Sequence, residues 1–109
     1  MTWSIVFLKE AANDLQALDN SQRTQIIKAI EKVAQNPLSD NEGGYGKRLG
    51  NIKSSKLVGC LKIKLRKLGL RVIYKVVREA GEMKIIVIAA RNDDVVYREA
   101  ERRLKNVRI

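Results

Sequence analysis

Residues 62–66 read Lys-Ile-Lys-Leu-Arg, and Leu70-Arg71-Val72-Ile73-Tyr74 follows across the short turn Lys67-Leu68-Gly69. Successive side chains of a strand point to opposite faces. Lys62, Lys64 and Arg66 therefore share one face, while Ile63 and Leu65 tie the other to a core. The pattern calls for a sheet that is apolar on one side and carries a fixed row of cations on the other. Such a platform suits phosphate. The chain has no histidine, so any proton transfer falls to lysine, arginine, tyrosine or a carboxylate.

The charge distribution supports a polyanionic partner. Net charge is +10, and it is unevenly placed. Residues 1–40 hold four basic and five acidic side chains, whereas residues 41–109 hold eighteen and seven. A field of one sign over the second half is expected of a nucleic-acid-binding protein. A membrane surface fits less well, because the cations lie on strands and not along an amphipathic helix. The 109 residues, 45% apolar and 31% charged, predict one globular domain over 1–109. A lone cysteine, Cys60, precludes an internal disulfide and suits the cytoplasm; it reads as a small core hydrophobe. The start carries no basic leader and no segment has the apolar length of a membrane span, so none is expected.

The spacing predicts strand, helix, helix, loop, three strands and helix. Residues 2–7 alternate as a short strand; Leu8, Ala11, Ala12, Leu15 and Leu18 fall at helical spacing. Asp19, Asn20 or Ser21 caps a second helix whose apolar face is Ile26, Ile27, Ile30, Val33 and Ala34, ending before Asn36-Pro37. Residues 38–56 read as a long glycine-rich surface loop bearing Lys47, Arg48, Lys53 and Lys56. Strands over 58–66, 70–78 and 83–90 form an antiparallel meander, the last buried on both faces. Asn92, Asp93 and Asp94 cap a final helix with Val96, Ala100, Leu104 and Val107 as its apolar line. The fold class is α+β: an antiparallel sheet of about four strands, two N-terminal helices on one face and a C-terminal helix.

Arg71 opens the strand after the lysine strand and Arg91 ends the next, so cations from three strands can converge. Two ammonium groups ~6 Å apart at an effective dielectric of about 20 repel by roughly 2.8 kcal/mol. That is about two pKa units, enough to move a lysine toward proton acceptance. Arginine stays charged and can stabilise a dianionic phosphorane. Tyr97 is either a half-buried aromatic fastening the helix or a phenol aimed at the cations. Tyr74 reads as core, and Tyr45 as either an RNA-stacking or an ordinary loop residue. No zinc pattern, two-metal nuclease pattern, phosphate loop or serine triad is present. No metal or other cofactor is expected.

The element order together with Gly69-Leu70-Arg71-Val72-Ile73-Tyr74 resembles the RelE/ParE toxin superfamily over nearly the whole chain. The set Lys62, Lys64, Arg71, Arg91 and Tyr97 resembles the RelE branch of ribosome-dependent mRNA endonucleases. The resemblance implies a type II toxin that cuts mRNA in the ribosomal A site by metal-free attack of a 2′-hydroxyl. It assigns Lys62 and Lys64 to base function and phosphate stabilisation, and Arg71 to transition-state charge. Arg91 would serve the leaving group, and Tyr97 would orient the nucleophile or share in proton transfer. Lys47, Arg48, Lys53, Lys56, Arg66 and Lys67 are the expected RNA- and ribosome-binding residues. The implied partners are the ribosome with its mRNA and a cognate acidic, partly disordered antitoxin, with operator DNA met only through the antitoxin complex. The signature motif is shared with gyrase-inhibiting ParE toxins, which leaves a non-nuclease toxin as one alternative and a noncatalytic RNA-binding module as another.

Overall fold

A five-stranded sheet in the order β1-β5-β4-β3-β2 separates two apolar layers. The structure is a computed structural model that describes residues 3–50 and 55–105. The elements are β1 (Ser4–Phe7), α1 (Lys9–Gln16), α2 (Asn20–Val33), β2 (Lys47–Arg48), β3 (Cys60–Leu65), β4 (Leu70–Val77), β5 (Glu82–Ala90) and α3 (Asp93–Lys105), with 3₁₀ turns at Asp40–Glu42 and Ser55–Leu57. Val107 and Lys53 lie outside the described residues.

The helical spacings place α1 and α2 on one face. Ala11 of α1 and Ile26, Ile30 and Val33 of α2 are buried against Leu61, Ile63, Val72, Tyr74 and Ile85. Asp19 caps α2, its carboxylate accepting from the Gln22 N–H at 2.8 Å. Ile27, expected on the apolar face, is 38% exposed, because the sheet accepts only one stripe of the helix. On the opposite face, Val96, Ala100 and Leu104 of α3 pack on Cys60, Ile73, Ile86 and Val87.

Two features depart from the expected sheet. It is mixed: β1 runs parallel to β5, with Phe7 beside Ile85, while β2, β3, β4 and β5 pair antiparallel in turn. Tight turns force neighbours to be antiparallel, but two helices separate β1 from the remaining strands and free it to pair either way. The loop also contains a fifth strand, the two-residue β2, too short to show any alternation. Within β5 the register shifts opposite Ile73/Tyr74, since Ile73 faces Val87 and Tyr74 faces Ile85. Ile86 is the extra residue, and it joins Val87 in the α3 layer.

Tyr74 is fully buried, as its place in an apolar strand predicts. Its hydroxyl donates to the Pro37 carbonyl at 2.7 Å. This bond fixes the segment entering β2. Gly46 is required there: a Cβ would lie 2.2 Å from the Tyr74 hydroxyl and 3.1 Å from the Leu38 carbonyl oxygen. The turn between β3 and β4 closes on Gly69 at φ +66°, the left-handed region that glycine enters without a Cβ penalty.

Candidate active site

The α3 face of the sheet is apolar at one end and cationic at the other. Lys62 pairs across to Ile73, and Lys64 directly to Arg71; directly opposed residues share a face, with Cβ atoms about 5 Å apart. Arg71 is in turn opposite Ala89 of β5. The β4–β5 ladder extends one residue beyond β5, where the Arg91 N–H donates to the Gly69 carbonyl at 2.8 Å. Arg91, which is exposed, therefore lies at the same end of the sheet as Arg71.

Tyr97 comes down from α3 onto this row. The Lys62 ammonium donates to its hydroxyl at 2.9 Å and lies 5.6 Å from its ring centroid. Two side chains 35 positions apart therefore meet over the cationic end of the sheet. Lys62 is only 7% exposed, so its ammonium is held in place and not swept through solvent. Lys62, Lys64, Arg71 and Tyr97 are thus brought to one face of the sheet, and the Arg91 backbone follows β5 at the same end.

Crowding has the expected electrostatic effect. The Lys64 ammonium is more acidic than that of an ordinary lysine, chiefly through repulsion from Lys62, then through partial desolvation and the charges of Arg71, Lys47 and Arg66. Among the described residues no three His, Cys, Asp or Glu side chains are placed to hold a metal ion.

The outlying basic residues sort by register. Lys47 is opposite Lys62 and joins the cationic face, whereas Arg48 is opposite Leu61 and turns to the other side. There Arg48 pairs with Asp40 at 3.6 Å, so the structure does not bring it to the cluster. Arg66 and Lys67 are exposed in the β3–β4 turn, and Lys56 is exposed on the 3₁₀ turn before β3. Tyr45 is 53% exposed, with the Lys32 ammonium 5.7 Å from its ring centroid.

Sequence spacing did not indicate the polar cluster that holds α3 in place. Arg103, 7% exposed, donates to Asp14 at 2.7 and 3.1 Å, to Glu99 at 2.7 Å and to the Ile86 carbonyl at 2.9 Å. Asp14 also accepts from the Ile88 N–H at 3.0 Å. With β1 ending at Phe7, the Asp14–Arg103 pair takes up the backbone groups of β5 just beyond β1. Arg102 braces the cluster through Glu99 and Glu10. No local signal marks these residues, because Arg103 and Asp14 are 89 positions apart.

The family model for the ParE toxin of type II toxin–antitoxin systems matches residues 5–95. The chain belongs to that family and, within the wider RelE/ParE superfamily, to its RelE-like branch. It is 30% identical over 108 residues to a RelE-like toxin protein of Escherichia coli, covering 96% of this chain and all of the relative. It is 29% identical over 107 residues to the mRNA interferase toxin RelE of E. coli K12, covering 95% and 99%. An arginine-to-alanine double mutant of E. coli RelE in the free state superposes with a TM-score of 0.70 at 27% identity, covering 94% and 98%. That mutant in complex with an antitoxin RelB peptide superposes with a TM-score of 0.64 at 27% identity, covering 92% and 95%. The protein is a RelE-like toxin of a toxin–antitoxin system.

Proposed function

We propose that this toxin is a ribosome-dependent endoribonuclease that cuts mRNA in the A site and so stops translation. The observation that carries the reading is the meeting of the Lys62 ammonium and the Tyr97 phenol beside the directly opposed Lys64–Arg71 pair. Four basic side chains and a phenol around one linkage match what cleavage of RNA by its own 2′-hydroxyl demands. The mRNA interferase RelE relatives add to it.

In this mechanism Lys64, made more acidic by its cationic neighbours, is the base. It takes the 2′-hydroxyl proton as the oxygen attacks the adjacent phosphorus. Arg71 and Lys62 face the nonbridging oxygens and stabilise charge that grows in the transition state. As the bond from phosphorus to the 5′-oxygen breaks, Arg91 stabilises that oxygen and the Lys62–Tyr97 pair delivers a proton to it. A 2′,3′-cyclic phosphate and a 5′-hydroxyl are left. An acidic antitoxin segment would neutralise the same face in the resting complex, with operator DNA contacted through that complex. The reading places the protein in the cytoplasm, with its ribosome.

Primer extension on translated mRNA tests the reading. Wild type is expected to give cuts at A-site codons, and Arg71→Ala or Arg91→Ala to weaken them by about 100-fold to 1,000-fold, as for removal of one transition-state donor. Equal cutting by these variants rules out the site. A second reading, inhibition of DNA gyrase, is favoured by the ParE name of the matching family model. Growth arrest with intact mRNA and trapped gyrase–DNA complexes would establish it instead.

A further inference from the structure

The mechanism proposed above draws its groups from β3, β4, the end of β5 and α3, and gives the edge strand no role. β2 has only two residues, both basic, and its register separates them. Lys47 opposite Lys62 stands on the cationic face, and Arg48 opposite Leu61 does not. Lys47 is exposed, and its charge reaches the reactive group, since it contributes to the acidity of the Lys64 ammonium.

The position of Lys47 is firmly built. Gly46, immediately before it, has no room for a Cβ beneath the Tyr74 hydroxyl and the Leu38 carbonyl. The Asp40 N–H donates to the Gly46 carbonyl at 2.9 Å, and the Gly46 N–H to the Leu38 carbonyl at 3.0 Å. Arg48, immediately after it, is braced by Asp40 at 3.6 Å. A lysine on so short a strand would otherwise swing with its loop. Here its backbone is fixed on both sides.

The spacing says what it can hold. Lys64 and Arg71 are directly opposed and can share one phosphate. Lys47 is directly opposite Lys62, whose ammonium is drawn to the Tyr97 hydroxyl at 2.9 Å, and diagonal to Lys64 at a separation of about 7–8 Å, so it extends the cationic row one position outward from the Lys64–Arg71 pair. We propose that Lys47 is a further substrate-contacting residue, holding the phosphate next to the scissile one on the same RNA strand. The site then reads two consecutive linkages. Lys47 sets the register of the strand across the sheet, so that the 2′-hydroxyl to be activated is the one that arrives at Lys64. This inference rests on the endonuclease reading for its consequence in cleavage, but not for the contact itself.

Two measurements test it. In the first, mRNA bearing a single uncharged methylphosphonate at each linkage flanking the cut is presented on programmed ribosomes. Wild type is expected to lose about tenfold in kcat/KM at one flanking linkage, as for loss of one charged hydrogen bond, with kcat less affected. Lys47→Ala is expected to show that loss on unmodified mRNA and to be insensitive to the replacement. Lys47→Arg should restore the wild-type pattern, and Lys28→Ala, a charge removal on an exposed position of α2, should leave it unchanged. If Lys47→Ala keeps wild-type sensitivity at every linkage, or is slower by the same factor on all of them, Lys47 touches the ribosome or nothing, and the proposal is overturned.

In the second measurement, an RNA trinucleotide with a 2′-deoxy sugar at the scissile position, which cannot be cleaved, is titrated against the protein. The expected result is weaker binding by Lys47→Ala and a shallower salt dependence, by about 0.7 in the slope of log K against log salt. Binding that follows this pattern in a protein that cuts no mRNA defeats the endonuclease reading and leaves the contact standing. Binding indifferent to Lys47 defeats the contact alone.

Discussion

Lys64 is flanked by cations on every side that the sheet provides: Lys62 two residues before it, Arg71 across the pair, Lys47 on the diagonal and Arg66 two residues on. A base works only when unprotonated, so cleavage under the proposed mechanism rises with pH. Because the Lys64 ammonium is more acidic than usual, the rising limb should fall below the ordinary lysine range. Removing a neighbouring charge relieves the repulsion, and Lys47→Ala is therefore expected to move the limb to higher pH. A pH–rate profile of both proteins checks this; coincident limbs would remove Lys64 from the role of base. Tyr97→Phe keeps the ring over Lys62 but deletes the group that the ammonium holds at 2.9 Å. A loss on the order of 100-fold in kcat, with substrate binding little changed, is expected for a group in proton transfer. At this scale much was legible in advance. Alternation alone puts Lys62 and Lys64 together, and the hairpin turn brings Arg71 to them. The division of Lys47 from Arg48 was not legible, because it depends on the register of a strand of two residues.

At the scale of elements, α3 carries the phenol and is tied down by Arg103, Asp14 and Glu99. Arg103→Met leaves the Asp14 carboxylate without its cation in a largely buried place, an expected cost of ~3 kcal/mol. Thermal denaturation would show it, and the double change Asp14→Asn with Arg103→Met should recover part of the loss. The cluster also makes stability depend on pH. Hydrogen bonds from Arg102, and then Arg103, hold the Glu99 carboxyl down at about 2, below its ordinary value of 4.5. A depressed carboxyl stabilises the fold fully above its unfolded value and loses that contribution as pH falls toward its folded one. α3 is therefore expected to loosen between pH ~4.5 and ~2, and Glu99→Gln to flatten that part of the stability curve. Helix spacing showed the apolar line of α3, with Val96, Ala100 and Leu104 buried. Its polar tether was hidden, since in a helix an arginine meant for solvent and one meant for a buried carboxylate look alike.

For the whole molecule, two apolar layers share one sheet, and Cys60 lies in the α3 layer at 4% exposure. Burial pushes its thiol up to about 11, against a smaller opposing pull from Lys75. A thiol so placed reacts only when the sheet opens. Alkylation of Cys60 in the folded protein is thus expected to be slow and to track global unfolding in denaturant. Fast modification under native conditions would mean that β3 leaves the sheet on its own. The α+β class, the helix pair and the antiparallel run from β3 to β5 were legible in the sequence, because each is set by local periodicity and short turns. The parallel pairing of β1 was not, because its partner lies beyond both helices and three strands.

That pairing has a consequence for synthesis. β1 is made well before its neighbour β5, which does not begin until residue 82. At elongation rates of about 5–20 residues per second, the first strand waits roughly 4–15 s for its place. Tyr97 is translated later still. A nascent chain therefore lacks both a closed sheet and the Tyr97 side of the cationic face until residues 82–97 have been made, and under the proposed endonuclease reading it could not cut before then.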